Sequence, residues 1–170
     1  YNPDYVEQVA NQITSDYKGI DPASSAYFDQ QRQAFETALG SYHTHLQAIK
    51  AKFAGQKVGA TESIFVYLAN YLGLDLISPP DFMQAVGEGN DPPADAVVTF
   101  EQQIQQKQIT VLVYNAQTVT PVTDHVKQLA TQENIPLVAV SETIQPANLS
   151  FQDWQTAQLM QLQNALSAQA

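Results

Sequence analysis

The sequence predicts an α/β fold: a four-stranded, mostly parallel sheet with helices on both faces, preceded by a long helix. After Gly55, short apolar strands alternate with amphipathic helices, and such strands are typical of a parallel sheet covered on both sides. Before Gly55, one apolar stripe has helical spacing. The 170 residues, 44% of them hydrophobic, suffice for one well-packed domain. We divide it into a helical segment over 1–55 and an α/β lobe over 56–170.

The helical segment is predicted to hold two helices. "NPDYVEQVANQITSDYKGIDP" indicates a short helix that begins near Asp4 and ends between Gly19 and Pro22. Over 24–54 the apolar positions indicate one continuous helix: Phe28, Phe35, Leu39, Tyr42, Leu46, Ile49 and Phe53. It would be about 45 Å long, whereas a compact chain of this size is only ~40 Å across. We therefore expect this helix to brace something larger than the chain itself.

The α/β lobe is predicted from alternating strand and helix patterns. The strands are expected at 57–61, 74–77, 109–115 and 136–140, and the helices between them at 62–72, 93–108 and 121–134. A loop rich in Pro and Gly precedes the helix at 93–108. A closing amphipathic helix follows Ser150, its expected N-cap, and runs to the end of the chain.

Charge and composition exclude several functions. Seven Lys and Arg against 17 Asp and Glu give a net charge of −10, which disfavours nucleic acid and anionic membrane surfaces and favours a cation as partner. The absence of cysteine excludes disulfides, thiolate metal sites and Cys nucleophiles. "GEGND" at 87–91 lacks the third glycine and the preceding strand of a dinucleotide fingerprint, so it is predicted to be a loop.

Polar residues follow three of the predicted strands. Glu62 follows the first, Asn115 and Gln117 the third, and Ser141 and Glu142 the fourth. Ligands of open parallel sheets bind at the carboxyl ends of the strands. Two carboxylates there, with no Lys or Arg beside either in sequence, would raise each other's pKa unless a divalent cation joined them. The alternatives are an acidic side chain favoured in a first helical turn for Glu62 and a plain loop residue for Glu142.

The histidines are weaker candidates. His43 and His45 lie two residues apart on the predicted long helix, about 200° around its axis, so they cannot face one ion together. His125 lies in a helix of mixed polar and apolar residues, which favours a surface position.

Three stretches carry a resemblance to a known family: the long helix, "GATESIFVYLANYLGL" and "ITVLVYNAQTVTPVTDHVKQLATQENIPLVAVSETI". The chain resembles the C-terminal half of the metal-binding solute-binding proteins of zinc and manganese ABC transporters. The resemblance covers essentially the whole chain. It implies two α/β lobes joined by a long rigid helix, here 24–54, with the metal held between them.

The resemblance also implies ligands. The family pattern "[H/E]-x-x-F-x-Y" matches "ESIFVY", with Glu62 as ligand, and "AVSET" places Glu142 where the family usually has Asp. The other two family ligands are histidines, one in the first lobe and one before a "W-Y-[N/D]-P" stretch that "YNPDY" continues. Both would lie outside this sequence, so the chain is expected to be a fragment whose membrane association depends on the missing N-terminal part.

A carboxylate at position 62 resembles the manganese members, so manganese is favoured over zinc. The expected function is that of an extracytoplasmic receptor, a cell-surface lipoprotein or periplasmic protein, which delivers the cation to an ABC permease. Two alternatives stay open. One is a Rossmann-like enzyme with Glu62 and Glu142 as an acid and base pair, and the other is a metal-free adhesin or interaction domain.

Overall fold

The computed structural model describes residues 1–168. The strands are β1 (Lys57–Ala60), β2 (Asp75–Leu76), β3 (Leu112–Asn115) and β4 (Leu137–Val140). The helices are α1 (Pro3–Ile20), α2 (Ser25–Ala38), α3 (Gly40–Phe53), α4 (Val66–Leu72), α5 (Pro80–Gly87), α6 (Ala94–Gln105), α7 (Pro121–Gln132) and α8 (Phe151–Ser167). Short 3-10 turns cover Pro22–Ser24 and Ser63–Phe65.

The four strands form one parallel sheet in the order β2-β1-β3-β4. This confirms the predicted α/β fold, and the sheet is parallel throughout. Ala60 pairs with Val113, and Asn115 pairs with Val140. Because the strands share one direction, the residues that follow β1, β3 and β4 meet at the same edge of the sheet.

A hydrophobic core lies on each face of the sheet. One core holds side chains of α3, α4 and α8, among them Tyr42, Phe53 and Leu162. The other holds side chains of α5, α6 and α7, with Phe82 and Phe100 in edge-to-face contact at its centre. The two cores explain why the strands are apolar on both sides.

The predicted helix over 24–54 is interrupted, so a single continuous helix is wrong. It is divided at Leu39 into α2 and α3. The apolar stripe continues across the division, since Leu39 is fully buried and its carbonyl still accepts a hydrogen bond from His43 N at 2.9 Å. Gly40, a poor helix former, follows directly. Apolar spacing indicates only which face of a helix is buried. Because Leu39 lies on the buried face, the spacing could not reveal the break.

Helix α5 was missed in the sequence, where residues before 93 were interpreted as loop. Pro79 and Pro80 suggested an irregular segment, but Pro80 stands in the first turn of α5, where a fixed φ and a missing N–H cost nothing. The "GEGND" segment is the end of α5 and the turn after it. Phe82, Met83 and Val86 of α5 are buried, so the helix is held by packing.

The C-terminal helix begins as predicted, with Ser150 Oγ accepting from Asp153 N at 3.1 Å. The last two residues of that prediction lie outside the described residues. Within residues 1–168, no helix combines the length and the apolar character needed to cross a bilayer.

Candidate functional site

Glu62 stands at the carboxyl end of β1 in extended backbone, with φ −153° and ψ 160°. Its side chain makes no cap hydrogen bond to the 3-10 turn that follows, so the first-turn explanation does not account for its position. It is only 5% exposed. Gly87, at the end of α5, packs against it, since a Cβ at that position would meet Ser63 Oγ at 3.1 Å and Glu62 Cγ at 3.4 Å.

Asn115 joins Glu62 to Glu142. Its Nδ2 donates to Glu62 Oε2 at 2.7 Å and to Glu142 Oε1 at 2.8 Å. The two carboxylates therefore meet at one crevice, as predicted. Asn115 or Gln117 was expected on the rim of that crevice, and Asn115 is 1% exposed and hydrogen-bonds to both acidic groups. The role of Glu62 and Glu142 as metal ligands stays a prediction.

The orientation of the Asn115 amide is fixed by a hydrogen bond to its oxygen, on the side away from the carboxylates. Its Oδ1 accepts a hydrogen bond from Gln117 N at 2.9 Å, which leaves the NH₂ group to face the carboxylates. That group also lies 3.1 Å from Thr118 Oγ1, so its two hydrogens face three acceptors. Thr118 in turn donates to Glu62 Oε1 at 3.0 Å. Both oxygens of Glu62 are thus held by neutral donors.

Gln117 organises the loop after β4. Its Oε1 accepts from the backbone N–H of Glu142 at 2.7 Å and of Thr143 at 3.1 Å. Its Nε2 donates to Thr143 Oγ1 at 2.7 Å. Gln117 therefore positions the backbone that carries Glu142, while the Glu142 side chain remains exposed.

Tyr1 supports the same loop from the other side. Its hydroxyl lies 2.6 Å from the Ser141 carbonyl oxygen and 2.7 Å from Gln158 Oε1, and Trp154 Nε1 donates to Ser141 Oγ at 3.0 Å. Burial raises the pKa of Tyr1 to about 12, and the charge of Glu142 raises it as well. The hydrogen bonds of the Tyr1 hydroxyl to Ser141 and Gln158 lower it in part. Ser141, itself buried, anchors the end of β4.

The site carries negative charge without a nearby positive side chain. Within residues 1–168, neither Glu62 nor Glu142 forms an ion pair with Lys, Arg or His. Their shared donor, Asn115, is neutral. Two carboxylate groups held by one amide can attract a divalent cation, and carboxylate oxygens are ligands that hard cations prefer.

None of the three histidines hydrogen-bonds or ion-pairs with these groups. His43 faces Glu7 and Glu36, His45 Nδ1 lies 2.6 Å from Gln163 Oε1, and the exposed His125 lies 2.9 Å from Glu101. His43 and His45 have different partners, as their spacing predicted.

Sequence reasoning missed Thr118, Tyr1, Trp154 and Gln158 at this site. Thr118 had a usable signal, since it follows Asn115 by three residues in the same loop. The other three come from α8 and the start of the chain, and only the tertiary packing brings them to Ser141.

The family model for the periplasmic zinc-uptake complex component A matches residues 1–165. The chain belongs to this family. No curated protein matches it in sequence.

Solved structures share its fold. A metal-free periplasmic metal-binding protein (S38A mutant) from Candidatus Liberibacter asiaticus superposes with a TM-score of 0.74 at 13% identity, over 97% of this chain and 60% of that one. The Mn²⁺ complex of the binding protein FpvC from Pseudomonas aeruginosa gives 0.66 at 14% identity, covering 94% and 59%. A ZnuA crystal structure gives 0.70 at 17% identity, covering 99% and 58%. The chain thus spans about three fifths of the length of these proteins.

Proposed function

We propose that this chain is the C-terminal part of the extracytoplasmic binding component of an ABC importer for a divalent metal, with Glu62 and Glu142 as two of its metal ligands. One observation carries the proposal: both carboxylates converge on Asn115 Nδ2 at the carboxyl edge of the sheet. Membership of a periplasmic zinc-uptake family supports it. That membership also speaks against the acid–base enzyme and the metal-free interaction domain.

An exposed apolar surface supports the placement of this chain within a longer protein. We call it the α1 apolar face. Its members on α1 recur every three or four residues, and each is at least half exposed: Tyr5, Val9, Ile13, Tyr17 and Ile20. Clefts of about 570 and 410 Å³ run beside it, and both are lined by Ala10, Ile13 and Phe35. Isolated soluble domains rarely expose such a continuous patch, so we propose that the remainder of the longer protein covers it.

Manganese is the preferred cation in this proposal, with zinc next. Both proposed metal ligands on this chain, Glu62 and Glu142, offer oxygen atoms, which suit manganese as the harder ion. A tight site needs about four ligands, so the others would be the two histidines that the family resemblance implies outside this sequence, one of them in the first lobe. The permease would receive the ion when the lobes separate.

The test compares thermal unfolding of this chain and of the longer protein, each with and without Mn²⁺ or Zn²⁺. A free metal concentration of 100 times Kd stabilises a native protein by about 2.7 kcal/mol, which raises the Tm of a protein of that size by roughly 5–10 °C. At submicromolar free metal we expect that increase in the longer protein and almost none in this chain, where two ligands leave the site incomplete.

Glu62→Gln in the longer protein should abolish the increase in Tm, while the matched control Glu88→Gln, an exposed residue on the turn after α5, should retain it. A full metal response in the Glu62→Gln protein would contradict the assignment of Glu62.

A further inference from the structure

A second group of metal-ligating side chains lies where α1, α2 and α3 meet, and it shares no residue with the Glu62 site. Glu7 comes from α1, Glu36 from α2 and His43 from α3. One ligand atom from each lies within 4.8 Å of the others. All three are partly buried.

The imidazole contacts point to a cation. His43 Nε2 lies 3.3 Å from Glu7 Oε1, and Nδ1 lies 3.6 Å from Glu36 Oε1. A neutral imidazole has one N–H, so one of its nitrogens must face a carboxylate oxygen with a lone pair. A metal ion beside that nitrogen would be a common partner for the imidazole lone pair and the carboxylate.

The charges around the group are only partly compensated. Arg32 Nη1 lies 3.0 Å from Glu36 Oε2 and therefore occupies the oxygen that turns away from His43. For Glu7, the only ion-pair partner within residues 1–168 is His43. Burial raises the pKa of Tyr71, and the charges of Asp4 and Glu7 raise it further, which places negative potential at this point.

The surrounding geometry leaves room for an ion. A cleft of about 200 Å³ is lined by two of the three ligand residues, Glu7 and His43, together with Gln47 and Tyr71, while Glu36 is not part of its lining. Its volume is enough for a cation and several water molecules. Glu36 and His43 are seven residues apart, a rise of about 10.5 Å in one continuous helix. Their side chains approach each other across the interruption at Leu39.

We propose that Glu7, Glu36 and His43 form a second divalent-cation site, which links α1 and α2 to α3. One imidazole nitrogen and two carboxylate oxygens are a ligand set that zinc accepts, with a water as fourth ligand. Bonds of about 2.0–2.2 Å place tetrahedral ligand atoms ~3.4 Å apart. The Glu7 to His43 Nε2 distance of 3.3 Å already fits this spacing. Glu36 Oε1 lies beside the other ring nitrogen, Nδ1, so the site requires the Glu36 side chain to move toward Nε2.

The test uses this chain with Glu62→Gln and Glu142→Gln in place. Because the first site then cannot bind metal, the result does not depend on whether the proposed role of Glu62 and Glu142 is correct. Isothermal titration with Zn²⁺ should show one ion per chain at micromolar Kd, and zinc should raise the Tm. His43→Ala should abolish binding. Glu7→Gln, a smaller change, should weaken it at least tenfold.

His125→Ala is the matched control, since His125 also faces a glutamate but only one. It should bind zinc like the background chain. The proposal is overturned if the background chain takes up no zinc, or if binding survives both His43→Ala and Glu7→Gln. Circular dichroism checks folding, and if His43→Ala does not fold, Glu7→Gln alone decides.

Discussion

Asn115 Nδ2 donates a 2.7 Å hydrogen bond to Glu62 Oε2, in a part of the sheet edge where both residues are almost fully buried. The amide supplies what a cationic side chain would otherwise supply, a donor for a buried carboxylate, but adds no charge. Both oxygens of Glu62 are therefore hydrogen-bonded without a cationic partner.

Replacing Asn115 should destabilise the metal-free chain. Asn115→Ala removes the donor of one buried Glu62 oxygen and the acceptor of Gln117 N, and an unsatisfied buried group costs about 1–3 kcal/mol. Urea unfolding should show a loss in that range, and the exposed Asn148→Ala control should change stability by under about 0.5 kcal/mol. A loss no larger than the control's would show that Asn115 does not stabilise Glu62.

Tyr1 should make the stability of the chain fall as pH rises in the alkaline range. Because burial raises the pKa of Tyr1 from 10.0 to about 12, the contribution of the neutral phenol is present below pH 10. It is lost as pH rises through 12. Two pKa units correspond to about 2.7 kcal/mol, and we expect about 1–2 kcal/mol after discounting for solvent screening of a half-buried group.

Chemical unfolding at pH 9 and pH 12 measures this effect. Tyr1→Phe lacks the contribution at both pH values, so the stability gap to the unaltered chain should narrow at pH 12. The exposed Tyr5→Phe should follow the unaltered chain. An equal gap at both pH values would contradict the prediction.

Charges on the α1 apolar face should act differently in this chain and in the longer protein. Val9→Lys and Ile13→Lys together change residues that are at least half exposed here, so they should reduce binding of a hydrophobic dye and leave stability nearly unchanged. In the longer protein the same pair should lower the Tm by several degrees, because the proposal buries them there. Val119→Lys, at a 66% exposed position outside this face, is the control. An unchanged Tm in the longer protein would argue against coverage of the face.

Gly59→Ala in β1 should destabilise the chain. A Cβ there would lie 2.7 Å from Ile109 Cδ1 and 3.1 Å from Phe100 Cε2, and overpacking of this kind costs about 1–3 kcal/mol. Gly40→Ala is the contrasting change, since a Cβ at Gly40 would meet nothing within 4 Å. It should stabilise the chain by up to about 1 kcal/mol. Equal stabilities of the two variants in urea would refute this packing argument.

Much of the fold could be predicted because burial leaves a periodic trace. Strands β1, β3 and β4 are apolar on both faces, and the stripe through Tyr42, Leu46 and Phe53 marks the buried side of α3. The break at Leu39 left no such trace, since the residue is buried with the rest of the stripe. Helix α5 was hidden by the prolines and glycines at its ends.

The site was predictable only where it follows the topology of the sheet. Asn115 ends its parallel strand, and Glu62 and Glu142 each stand two residues beyond theirs, so their meeting follows from strand direction alone. The interactions of Tyr1 and Gln158 with Ser141 depend on how α1 and α8 pack, which strand order does not determine. The group of Glu7, Glu36 and His43 likewise depends on the packing of three helices, and it could not be inferred from the spacing of His43 and His45.

The most direct test of the central claim is anomalous scattering from crystals of the longer protein grown with Mn²⁺. The account predicts a manganese peak at about 2.0–2.6 Å from carboxylate oxygens of both Glu62 and Glu142, with the remaining ligands from outside this chain. A fully occupied manganese peak that touches neither carboxylate would contradict it.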